Sequence, residues 1–156
     1  MIEIRIPGRK RYQLRHLALD VNGTIACDGR LIEGVAERLR LLSRQLEIHL
    51  LTADTHGKQN EIDAVLGLKA QRVRAGNEAE EKADYVNRLG AESVVAVGNG
   101  ANDMAMLERA VLSVAILGSE GVSVETLKKA DVVVKDINDA LDLLLYPNRL
   151  VATLRQ

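Results

Sequence analysis

The feature that most restricts this chain is the alternation of short, nearly continuous Val/Leu/Ile runs with amphipathic stretches, almost from end to end. Candidate strands lie at 15–21, 46–51, 93–97, 112–117 and 131–134, with a weaker one near 71–75. Runs this apolar, with few polar alternates, suit strands buried on both faces. Between them are helical periods: Val35, Leu39, Leu42; then Ala79, Ala83, Val86, Leu89; and last Ile137, Leu141, Leu144. Strand and helix in turn indicate an α/β fold, a parallel sheet with helices on both faces. Residues 2–6 are expected to add an edge strand closed by the Pro7-Gly8 turn. Residues 25–33 are expected to form a small β-hairpin turning at Asp28-Gly29, and 136–156 a C-terminal helical segment. Both prolines lie near the ends and no repeat or linker interrupts the pattern, so 1–156 is expected to be a single domain.

At 156 residues the chain is long enough to bury one sizeable core. With no Trp or Phe, that core has to be aliphatic. A net charge of -1 gives no general attraction to nucleic acid or anionic membrane, and no apolar run approaches the roughly 20 residues that span a bilayer. The first residues lack the layout of a signal peptide, and a lone cysteine, Cys27, forms no internal disulfide. A cytoplasmic location is therefore expected. The first sixteen residues are basic, with Arg5, Arg9, Lys10, Arg11 and Arg15 against Glu3. Only Tyr12 accompanies these charges as a stacking aromatic, so a solvated turn between two edge strands is expected there and no nucleic-acid partner.

In a parallel sheet, ligands collect at the carboxyl ends of the strands. Three candidate strands end in polar residues: Leu19-Asp20-Val21-Asn22-Gly23-Thr24, Leu51-Thr52-Ala53-Asp54, and Val97-Gly98-Asn99-Gly100-Ala101-Asn102-Asp103. A carboxylate so placed can attack phosphorus and form an acyl-phosphate. Gly23 lets the backbone pass close to a phosphate, whose oxygens exposed N–H groups would bind. Thr52 could hydrogen-bond another phosphoryl oxygen, and Lys82, in a helix, could neutralise the transferring group. Asp103 could cap a helix or help hold Mg²⁺. Singly, each has a plainer reading: a turn aspartate, a helix-capping threonine, a solvated lysine. The functional argument is the order and placement of all four together.

Those motifs resemble the haloacid dehalogenase-like superfamily across nearly the whole chain. The Asp20 run looks like that family's D-x-D-G-T nucleophile loop. Thr52 matches its second motif, Lys82 its third, and Gly98 to Asp103 its fourth, usually G-D-G-x-N-D. The stretch from Glu80 to Lys135 is similar to the phosphorylation domain of P-type ATPases, and Thr52-Ala53-Asp54 to their T-G-D. Small soluble P-type ATPase-like proteins are the matching group. A Rossmann-like core, capless apart from the hairpin as a flap, is implied. A P-type pump inserts a nucleotide-binding domain between the first two motifs, where this chain has about thirty residues, so an ATP-driven transporter is excluded. Capless members are often oligomers whose neighbours cover the site; a homo-oligomer is one arrangement implied. The apolar run 143–154 is expected to pack on its own sheet rather than on a partner.

The resemblance assigns catalysis to Asp20, Asn22, Thr52 and Lys82; phosphate binding to Gly23, Thr52, Ala53, Lys82 and Asn102; and Mg²⁺ to Asp20, Asn22, Asn99 and Asp103. Two positions depart from it. Asn22 stands where phosphatases have the Asp that serves as general acid and base. An amide shuttles no proton, a loss worth about 10²–10⁴ in rate. P-type ATPases carry Thr there, and their phosphoenzyme persists. Asn99 stands where an Asp usually binds Mg²⁺, leaving an oxygen ligand without charge. The expected function is a Mg²⁺-dependent phosphohydrolase acting through an aspartyl-phosphate on a small phosphorylated substrate, and slowly. Its rival is a degenerate domain that binds a phosphorylated ligand or protein partner.

Overall fold

The computed structural model describes residues 1–54 and 57–156. β1 (Ile2–Arg5) and β2 (Arg11–Leu14) pair antiparallel as a two-stranded sheet of their own. The strand and its Pro7-Gly8 turn stand where expected, but the pair is separate from the main sheet and adds no edge to it. Pro7 fixes the turn, Gly8 takes φ 79°, and the Arg9 N–H donates to the Ile6 carbonyl at 3.0 Å. Only alternate residues, Ile2, Ile4, Tyr12 and Leu14, are buried, so these strands have one apolar face and lie against the core. Pairing across so short a loop also costs little closure entropy. Glu3 forms ion pairs with Arg5 and Arg11, and Arg9 with Asp131 at 3.6 Å; Tyr12 is buried and offers no stacking face.

Next come β3 (His16–Asp20), the hairpin β4 (Ala26–Cys27) and β5 (Arg30–Leu31), α1 (Val35–Leu42) and β6 (Glu47–Thr52). The hairpin turns where expected: Asp28 and Gly29 have φ 50° and 74°, the two positive values of a type I′ turn. After these follow α2 (Gln59–Leu66), β7 (Gln71–Arg72), α3 (Glu78–Leu89) and β8 (Val94–Gly98). The chain ends with α4 (Met104–Arg109), β9 (Leu112–Ile116), α5 (Val124–Lys129), β10 (Val132–Val134), α6 (Ile137–Leu145) and α7 (Pro147–Leu154).

Six strands make one parallel sheet in the order β10-β9-β8-β3-β6-β7. Alternate residues sort its two faces. Leu17, Leu19, Leu50, Val95 and Val97 meet Val35, Leu39 and Leu42 of α1 and Leu141 and Leu144 of α6. Ala18, Leu51, Val94 and Ala96 meet Val86 of α3 and Met106 and Leu107 of α4. Leu150 and Leu154 of α7 are buried in the first of these clusters, so the C-terminal run packs on its own chain. From β3 the chain runs outward through β6 and β7, then returns to the other side of β3 with β8. The reversal opens a crevice at the carboxyl ends of β3 and β8. Between β3 and β6 there is room only for the hairpin and α1. Among the described residues, no helix is long and apolar enough to cross a membrane.

Candidate active site

The crevice holds a buried network built on Asp20, the last residue of β3. Beyond it the Val21 carbonyl accepts from the N–H groups of Thr24, Ile25 and Ala26 at 3.0–3.1 Å, which folds the chain back at once. Gly23, at φ 83°, allows that turn; a Cβ there would stand 2.4 Å from Glu120 Oε2 and 2.7 Å from Asn99 Nδ2. The turn delivers the fully buried Thr24, whose Oγ1 donates to Asp20 Oδ2 at 2.9 Å and lies 3.3 Å from Asn99 Oδ1.

Lys82 sits on the buried stripe of α3 with Ala83 and Val86 and is 1% exposed. A lysine is this deeply buried only when its ammonium is paired. Here Nζ donates to Asp20 Oδ1 at 2.6 Å and to Asp103 Oδ1 at 2.7 Å. The other oxygen of Asp103 accepts from the Asn99 and Gly100 N–H groups, both at 2.9 Å. Asp103 thus braces the loop after β8 against the lysine. Gly98 makes this possible, since a Cβ there would fall 2.6 Å from Asp103 Cγ. The loop is pinned further by Ser123 N–H on the Asn99 carbonyl and Thr126 Oγ1 on the Gly100 carbonyl, at 2.9 and 2.7 Å. Asn99 Nδ2 donates to the Gly121 carbonyl at 3.1 Å, which turns its Oδ1 toward Thr24.

Two carboxylates share one ammonium, and the balance shows in the titration of Asp20 and Lys82. Burial, with the nearby Asp103 charge, pushes the Asp20 carboxyl up to about 7, against the opposing pull of Lys82 and Thr24. Burial alone would lower the Lys82 pKa; the Asp103 and Asp20 carboxylates more than reverse this and hold it above the ordinary lysine value.

The network therefore joins Asp20, Lys82, Asn99 and Asp103. The other expected residues stand on loops leaving the same end of the sheet. Thr52, 2% exposed, lies one residue beyond the partner of Asp20 in the β3–β6 register and accepts from the Asp54 N–H at 2.9 Å. Its hydroxyl makes no bond to Asp20, Lys82 or Asp103 among the described contacts. Ala53 is half-buried, Asn22 is half-buried and bridged through its backbone to Ala26, and Asn102 is exposed on the helical turn Ala101–Asp103. Thr24 had no role in the sequence reading, although a hydroxyl four residues after a strand-end carboxylate was the available signal. A cleft of about 250 Å³ opens beside the network between Gly23, Thr24, the hairpin residue Cys27 and the Gly118-Ser119 turn. A larger hollow of about 620 Å³, lined by Asn60, Asp63 and Arg72, holds no member of the network.

No family model matches the chain. It is 44% identical over 92 residues to an uncharacterized protein of Methanocaldococcus jannaschii, covering 56% of this chain and 99% of that protein. It is 30% identical over 114 residues to a chloroplastic copper-transporting ATPase of Arabidopsis thaliana, covering 69% of this chain but 12% of the ATPase. A soluble P-type ATPase-like phosphatase of M. jannaschii is 27% identical over 127 residues, 80% of this chain and 46% of that one. Among solved structures, a HAD family hydrolase of Streptomyces avermitilis aligns at TM-score 0.68 and 18% identity over 87% of both chains. A 3-deoxy-D-manno-octulosonate 8-phosphate phosphatase of Moraxella catarrhalis aligns at 0.67 and 14% identity over 91% and 94%. The chain thus has the fold of these HAD hydrolases and phosphatases, and its sequence is similar to that of P-type ATPase-like proteins.

Proposed function

We propose that the chain is a slow, divalent-metal-dependent phosphohydrolase that forms an aspartyl-phosphate on Asp20. The observation that carries this reading is the Asp20–Lys82–Asp103 arrangement: a buried carboxylate at a strand end, aligned by the buried Lys82 ammonium. Such a group is costly to bury, and it stands where ligands enter a parallel sheet.

The donor set fits a hard dication. The Asp20 carboxylate, Asn99 Oδ1 turned inward by Gly121 and the Asn22 backbone carbonyl are all oxygens, and two aspartates against one lysine leave a charge of about -1 to be balanced. Asp103 would complete the set of oxygen ligands. Bound there, Mg²⁺ would screen the charge between a phosphoryl group and Asp20; the phosphatase of M. catarrhalis was solved with magnesium and phosphate ions. Lower affinity than for an all-aspartate site is expected, because Asn99 brings no charge.

An Asp20 oxygen attacks phosphorus and a P–O bond forms as the bond to the leaving oxygen breaks. Lys82, Thr52 and the backbone at Gly23, Ala53 and Asn102 bind the phosphoryl oxygens. Asn22 can hydrogen-bond the leaving oxygen but gives it no proton, so that proton comes from water. Substrates with acidic leaving groups are therefore favoured over alkyl phosphates. Water then attacks the aspartyl-phosphate, releasing phosphate and restoring the Asp20 carboxylate. Without a base at position 22 this second step is slow. The 250 Å³ cleft has room for a small leaving group.

Assay with p-nitrophenyl phosphate and Mg²⁺ tests the reading: turnover lost in Asp20→Asn supports it, and equal turnover in variant and parent overturns it. Asn22 and Asn99 also favour a second reading, a domain that binds a phosphorylated ligand without turning it over. Phosphate binding with no adduct on Asp20 would select that one.

A further inference from the structure

At the opposite end of β3 from Asp20, we propose a second metal site: His16, Glu47 and His49 form a binding site for a borderline divalent cation of the Zn²⁺ class. In the parallel β3–β6 register His16 is paired with Glu47 and Ala18 with His49. The three residues therefore project from the same face of the sheet, the one covered by α3. His16 Nδ1 lies 3.2 Å from His49 Nε2, and the Glu47 carboxylate reaches to 3.5 Å of the first and 3.9 Å of the second. Donor atoms around a tetrahedral zinc, at about 2.0–2.1 Å from it, stand roughly 3.3 Å apart. The spacing matches before any side chain moves.

The surroundings agree with the ligand role. His49 is buried, and its other ring nitrogen, Nδ1, faces the Tyr85 hydroxyl on α3 at 3.1 Å. That is the outer hydrogen bond that sets a metal-bound imidazole's tautomer, with Nδ1–H donating to oxygen and the Nε2 lone pair left for the ion. Glu47 is 69% exposed and supplies both a charge and an entry path. Two imidazoles and one carboxylate prefer Zn²⁺ to Mg²⁺ and leave a fourth position to water. His16 is four residues before Asp20, about 13 Å along the strand, so this site is separate from the phosphoryl site. The same elements serve both ends: β3 and β6 carry His16 and His49 here and Asp20 and Thr52 there, while α3 carries Tyr85 here and Lys82 one turn earlier.

Without metal, the same atoms would form a neutral chain, Tyr85 donating to His49 and His49 to His16, and the test separates the two. The full chain is titrated calorimetrically with Zn²⁺ in saturating Mg²⁺, which occupies the oxygen site. Parent, His16→Asn, Glu47→Gln and Cys27→Ser are compared, the last because Cys27, Asp28 and Glu120 are the other potential cluster among the described residues. One equivalent should bind in the parent and in Cys27→Ser, with affinity at least tenfold lower in His16→Asn and Glu47→Gln. Co²⁺ in place of Zn²⁺ should give a visible absorption band that those two variants lose. Absence of binding in the parent, unchanged affinity in both His16→Asn and Glu47→Gln, or loss only in Cys27→Ser would overturn the proposal.

Discussion

Lys82 shows how strongly one residue can be tied to its surroundings. It is the largest side chain the fold buries completely, and both of its partners are carboxylates. Replacing it by methionine keeps the volume and removes the charge, leaving Asp20 and Asp103 facing each other in the interior. A loss of about 3–5 kcal/mol is expected, read as a lower urea midpoint at pH 8. Because the lysine aligns Asp20, activity should be lost as well. Asn22 makes the opposite case, a residue whose replacement should help. Asn22→Asp restores a group that can give and take a proton, and turnover of alkyl phosphates should rise by about 10²-fold or more. Steady-state rates with an alkyl and an aryl phosphate check this, the gain being smaller for the aryl ester because its leaving group needs no proton.

Elements place these residues, and two glycines set the tolerances. Gly23 turns the chain after β3 through φ 83°, and the atoms of Asn99 and Glu120 fill the space a Cβ would need. Gly23→Ala should cost about 1–3 kcal/mol in backbone strain and reduce activity more than stability, since Thr24 and Asn99 would both shift; urea unfolding beside phosphatase rates separates the two effects. The elements were largely readable in the sequence because the core strands are apolar on both faces and the helices keep their period. The Asp28-Gly29 hairpin was readable because that dipeptide allows two positive φ values. What failed to read was pairing. Residues 2–6 carry a strand's pattern whether they extend a sheet or pair locally, and only the contact of Ile2 and Ile4 with the core decides between these. The strand near 71–75 shrinks to Gln71 and Arg72, since a sheet edge needs little apolar sequence. In the site, placement at or near strand ends marked Asp20, Lys82 and Asp103, and the family resemblance added Asn99. Thr24 went unassigned because its hydrogen bond to Asp20 depends on the tight turn, and the meeting of His16 with His49 depends on strand register.

For the molecule as a whole, the charge buried at the site should make stability depend on pH and on metal. The Asp20 carboxyl, held up at about 7 against an ordinary value of 3.8, is favoured in its protonated form by the fold. Its contribution to stability is complete below the ordinary value and is lost as pH rises through about 7. Metal-free protein should therefore gain stability between pH 8 and pH 5.5 relative to Asp20→Asn, and Mg²⁺ should shrink that difference by favouring the ionised carboxylate. Urea titrations of both proteins, with and without Mg²⁺, check the sign. The central claim, that Asp20 accepts a phosphoryl group and gives it up slowly, is tested most directly by intact-protein mass spectrometry. Protein mixed with p-nitrophenyl phosphate and Mg²⁺ should gain the mass of one phosphoryl group within the first turnover, lose it to hydroxylamine, and show none of it in Asp20→Asn. Turnover with no adduct, or an adduct that persists in Asp20→Asn, would contradict it.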